Sequence, residues 1–142
     1  MDRKDLLARL RQNSFEGFHF GGNTCHLSLR DDCEVMLQLT DGAVPRKRAE
    51  LLASVLENYD SCLENAARCL ESFGIDIGRD PFPYGVYVGE YSYGAHGPRL
   101  IDGFTISLKR ENGTAEDPLN AAVYTALFHR DGRAIGAGLW LE

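Results

Sequence analysis

Between Leu52 and Phe73 the apolar residues Leu52, Val55, Tyr59, Cys62, Ala66, Cys69 and Phe73 recur every three or four positions. That is the repeat of one face of an α-helix. On either side of this segment the repeat drops to two. In TCHLSL (24–29), Cys25, Leu27 and Leu29 face one way, and Thr24, His26 and Ser28 the other. In CEVMLQL (33–39), Cys33, Val35, Leu37 and Leu39 oppose Glu34, Met36 and Gln38. A strand sends alternate side chains to opposite faces, so helix and sheet must share one core and the class is α+β.

The remaining elements follow from turn residues. RKDLLARLRQ (3–12) sets Leu6, Leu7 and Leu10 on one side of a short helix that Asn13 and Ser14 break. FEGFHF (15–20) precedes the turn Gly21-Gly22-Asn23, and a second turn lies around Arg30-Asp31-Asp32. With the two alternating runs this predicts an N-terminal three-strand antiparallel meander with one wet face. Thr40-Asp41-Gly42 is a further turn, and Pro45 suits the first position of a helix running to about Phe73 and capped by Gly74. Asn58-Tyr59-Asp60-Ser61 holds weak helix formers and good N-caps, so the helix is either one long rod or kinked or broken there.

After the Gly- and Pro-rich connection 74–85, four strands are predicted at 84–93, 99–109, 119–129 and 134–141. Asp131-Gly132 is a two-residue hairpin signal, and Asn112-Gly113 lies in the longer loop between the second and third of them. The last two strands are apolar on both faces, with Ala121, Val123 and Leu127 alternating with Ala122, Tyr124 and Phe128, a pattern that belongs in the centre of a sheet. Ala134, Gly136, Ala137 and Gly138 leave room for the central helix to pack close. The expected architecture over residues 1–142 is a single α+β domain. Its antiparallel sheet comprises the N-terminal three-strand meander and a C-terminal four-strand meander, with a long or kinked central helix packed on one face.

Function is bounded first by charge. Fifteen Lys and Arg against twenty-one Asp and Glu give a net charge of −6, which argues against nucleic acid, because phosphate binding needs clustered cations. The one basic cluster, Pro45-Arg46-Lys47-Arg48, opens the predicted helix. Apolar runs are far shorter than the ~20 residues of a membrane helix. The start MDRKDLLARLRQN shows no apolar stretch followed by a small-residue cleavage site, so a cytoplasmic location and no membrane association are expected. Cys62 and Cys69 lie about 10 Å apart along one helix, too far for a disulfide, and reduced, mostly buried thiols are expected. No CxxC pair and no HxxxH occurs, so neither a metal nor another cofactor is expected.

YGVYVGEYSYGAHGPR (84–99) is the densest candidate for function. Alternation puts Tyr87, Tyr91 and Tyr93 on one face with Gly85 and Gly89, and Tyr84, Val86 and Val88 on the other. If the valines hold the core, the tyrosines form an outer stripe, and tyrosine is enriched at protein interfaces. Tyr87, Glu90, Tyr91, Tyr93, His96 and Arg99 are therefore the candidate partner-binding residues. The structural alternative is a strand and its Gly-Pro turn, since strands favour tyrosine in any case. Adjacent Cys25 and His26 point to opposite faces and cannot act as nucleophile and base, so no catalytic residue is assigned. A small hydrolase-type enzyme would need His96 or His129 beside a carboxylate or thiol in a cleft. A self-associating structural or regulatory domain is the third reading.

The order of elements, PRKRAELLASVLENYDSCLENAARCLESF and the ending FHRDGRAIGAGLWLE together resemble small bacterial α+β proteins of uncharacterised families, among them immunity proteins of polymorphic toxin systems. The resemblance implies a non-enzymatic protein that neutralises a toxin by binding it directly.

Overall fold

The computed structural model describes residues 1–31, 33–78, 81–93, 99–110 and 122–141. The chain runs α1 (Arg3–Arg11), β1 (His19–Gly21), β2 (Thr24–Ser28), β3 (Glu34–Gln38), α2 (Arg46–Glu57), α3 (Tyr59–Ser72), β4 (Phe82–Tyr93), β5 (Arg99–Lys109), β6 (Ala122–His129) and β7 (Ala134–Leu141). No helix is long and apolar enough to cross a membrane among the described residues.

All seven strands belong to one mixed sheet in the order β1-β2-β3-β4-β5-β6-β7. The expected wholly antiparallel sheet is thereby corrected: the N-terminal three strands and the C-terminal four join edge to edge through a parallel pair, β3 with β4, Val35 opposite Val86 and Leu37 opposite Val88. Hairpins reverse a chain, whereas the α2–α3 crossover carries it back to the end where β3 began, which is what a parallel neighbour needs. The pattern that placed the last two strands inside the sheet holds for β6 and is corrected for β7. β4 holds the middle position, β6 lies inside the sheet between β5 and β7, and β7 ends the order with α3 packed against it.

Helix α1 opens with the Asp2 carboxylate accepting from the Asp5 N–H at 2.8 Å, and it buries Leu6 and Leu10. Its end runs into a turn at 15–18 where a strand was expected. The Phe18 N–H reaches the Phe15 carbonyl, and the two rings meet edge to face at 6.0 Å. Gly17 at φ +91° makes that turn possible, so β1 keeps only three residues.

The predicted helix 45–73 is two helices. Pro45 is the N-cap and not the first helical residue, and the axis breaks at Asn58, whose side-chain Nδ2 donates to the Ser54 carbonyl at 3.0 Å. A straight rod over this stretch would run about 40 Å, twice the ~20 Å that β3 to β7 span across their strands. Broken, the layer folds back over them: α2 lies on β3 and β4, α3 on β5, β6 and β7. Gly74 at φ +79° ends α3 as expected, with Ile75 N–H on the Leu70 carbonyl and Gly74 N–H on the Glu71 carbonyl. Phe73 departs from the expected core stripe. It caps the helix, where the chain turns away, and is 56% exposed.

The core between helices and sheet contains Leu52, Val55, Tyr59 and Leu70 from the helices, and Val35, Leu37, Val86, Val88, Phe104, Ile106 and Phe128 from the strands. Phe104 and Phe128 stack at 4.9 Å. Buried Cys33 Sγ meets the Tyr59 hydroxyl at 3.3 Å, while Cys69 Sγ donates to the Gly136 carbonyl and fastens α3 to β7. All four cysteines are free thiols. The Asp131-Gly132 hairpin is present but has a three-residue loop. Gly132 N–H bonds the His129 carbonyl, His129 N–H bonds the Arg133 carbonyl, and Gly132 sits at φ +92°.

Candidate partner-binding face

Because Val86 and Val88 are taken by the core, the other side of β4 faces away from the helices. Strand register then lays two rows across that face. One runs His26, Met36, Tyr87, Thr105 and Leu127, each opposite the next. The second runs Glu34, Gly85, Ser107 and Thr125. A cavity of about 430 Å³ lies over both, with Tyr84 and Tyr91 also in its wall.

The tyrosines are tethered. Tyr87 hydroxyl donates to the Glu90 carbonyl at 2.7 Å, lying back along its own strand over Gly89. That glycine, at φ +153°, is required twice: a Cβ there would approach the Tyr87 hydroxyl to 2.8 Å and the Gln38 Oε1 to 2.9 Å. Gln38 Oε1 accepts the Glu90 N–H at 2.6 Å in the same place. Burial pushes the Tyr87 hydroxyl above its ordinary pKa, with the Arg48 guanidinium opposing the shift. Tyr91 reaches across β5, its hydroxyl donating to the Phe128 carbonyl at 2.7 Å, where the β6–β7 register slips between Leu127 and Phe128. Both tyrosines are half-buried.

Tyr84 is a correction. A register shift between Pro83 and Gly85 breaks the alternation, and Tyr84 joins the tyrosine face instead of the valine face, with the Lys109 ammonium 4.5 Å from its ring centre. Glu90 is paired within the chain. Its carboxylate meets Arg48 of α2 at 3.5 Å, and the same guanidinium meets Asp102 at 3.7 Å and the Gln38 carbonyl at 3.2 Å. Tyr93 and Arg99 are partners in the β4–β5 register. His96 lies outside the described residues, as do Asn112-Gly113 and the start of the expected strand 119–129.

His129 does have a carboxylate beside it, with Nδ1 3.3 Å from Asp131 Oδ2. That oxygen also takes Arg133 Nε at 2.8 Å, and hydrogen bonding from the Arg133 backbone N–H holds the Asp131 carboxyl below its ordinary pKa. The group sits at a hairpin tip and does not line the cavity. Sequence reasoning missed the hydroxyl residues Thr105, Ser107 and Thr125, which are 8%, 7% and 1% exposed. The signal was present, because alternation in FTISLK sets Thr105 and Ser107 opposite Phe104, Ile106 and Leu108.

Fold and face together define an α+β domain with its described helices on one side of the sheet and an aromatic, hydroxyl-floored hollow on the other. No family model matches the chain, and no curated protein or solved structure matches it.

Proposed function

We propose that the protein is a non-enzymatic protein-binding domain whose docking face is the side of the sheet opposite the described helices. The observation that carries this reading is the pair Tyr87 and Tyr91. Both stand on that face with their hydroxyls tied to backbone carbonyls, so large apolar rings are held in place before a partner arrives. Preorganised aromatic area of this kind loses little side-chain entropy on binding and is typical of interface anchors. The net charge of −6 favours a basic partner and fast, salt-sensitive association. A cytoplasmic immunity protein that blocks a bacterial toxin by direct binding is the specific form of this function that the resemblance supports.

The test is a defined complex with the protein encoded next to this chain, probed by hydrogen exchange. Protection is expected over β4, β5 and β6, and Tyr91→Ala is expected to weaken binding by about 2 kcal/mol. Protection confined to the outer sides of α2 and α3, or wild-type affinity in Tyr91→Ala, overturns the reading.

A further inference from the structure

The tyrosine-lined cavity carries a more specific conclusion, one that rests on the docking-face reading. We propose that it receives a guanidinium group, so that the partner anchors itself with an arginine side chain.

The lining supports this from three sides. The first is the rings. With the hydroxyls of Tyr87 and Tyr91 spent on the Glu90 and Phe128 carbonyls, these side chains offer a ligand their π-faces more than their polar ends. The Lys109 ammonium over the Tyr84 ring shows a cation already seated on an aromatic of this face.

The floor is the second. Ser107 and Thr125 hydroxyls bond one another at 2.7 Å, and one such bond leaves acceptor lone pairs on both. Thr105 lines the same cavity and adds a third hydroxyl whose oxygen can accept from a ligand. Acceptor lone pairs on a cavity floor suit a ligand rich in N–H donors.

Charge is the third. Glu34 lines the cavity and makes no ion pair with a described residue, while no Lys or Arg lines it. A neutral aromatic group would satisfy the rings and leave Glu34 and the hydroxyl acceptors unused. An ammonium would satisfy Glu34 but stacks less well and is more strongly hydrated. A guanidinium is planar, carries five donors and stacks on aromatic faces, so it answers all three features.

The experiment is an amide NMR titration of the intact protein with N-acetyl-arginine methylamide, the neutral citrulline analogue and the phenylalanine analogue. The arginine probe is expected to give saturable shifts at Met36, Tyr87, Thr105 and Leu127, with citrulline binding about ten-fold more weakly. Glu34→Gln is expected to remove most of that preference while leaving the rest of the spectrum in place. Equal binding of arginine and citrulline, or no saturable shift with arginine, overturns the inference. Saturation by phenylalanine alone also overturns it, yet leaves the docking face standing, since the hydrogen-exchange footprint tests that separately.

Discussion

Gly103→Ala is expected to damage the sheet and the candidate face together. Gly103 pairs with Gly89 on one side and His129 on the other, beside the slip in the β6–β7 register. A Cβ at 103 would collide with the Phe128 carbonyl oxygen and come within 3.1 Å of its carbon and 3.2 Å of the Arg130 nitrogen. All three are backbone atoms, so no side-chain rotation relieves the clash. The carbonyl would have to move by about 1 Å to restore ordinary contact. That carbonyl is also the acceptor for the Tyr91 hydroxyl at 2.7 Å, and the move breaks the bond. Strain of about 1–3 kcal/mol and a lost hydrogen bond of about 1 kcal/mol sum to roughly 2–4 kcal/mol. For a chain of this size that lowers Tm by on the order of 10 °C.

Urea unfolding of Gly103→Ala, Tyr91→Phe and the double variant measures both parts. Because alanine has already displaced the acceptor, Tyr91→Phe is expected to cost about 1 kcal/mol less in the alanine background than in the wild type. A Gly103→Ala protein within about 0.5 kcal/mol of wild type would refute the close approach. Full additivity in the cycle would refute the claim that the Phe128 carbonyl couples the two residues.

Two stripe residues with the same helical spacing are expected to differ sharply. Leu52→Ala, fully buried, should cost on the order of 2–5 kcal/mol, whereas exposed Phe73→Ala should stay within about 0.5 kcal/mol, as chemical denaturation will show. Burial raises all four thiols above their ordinary pKa of 9.0, so the fold favours their protonated forms. The stabilisation is complete below that value and is lost as pH rises through and beyond it. The urea midpoint should therefore be level to about pH 8.5 and fall by about pH 10.5, and a level midpoint throughout would contradict the burial of these thiols.

Periodicity alone determined which side chains share a face. Val86 and Val88 in the core, with Tyr87 and Tyr91 on the opposite side, follow from the alternation of a strand, a property of local covalent geometry that needs no knowledge of neighbours. The Gly74 cap and the Asp131-Gly132 turn were legible for the same reason, since a left-handed backbone is a demand on one residue. Tertiary structure decided everything that depends on residues distant in sequence. Only the crossover made β3 and β4 parallel neighbours, and only that pairing set Met36 beside Tyr87 and Glu34 beside Gly85. Alternation could not foresee that a bulge would turn Tyr84 to the tyrosine face, or that Arg48 would claim Glu90. Nor could it show that Phe128, thirty-seven residues away, would hold the Tyr91 hydroxyl. The composition of the face is written in the strands, while the hollow is created by their register, because register is settled by packing across the whole sheet and not by any one segment.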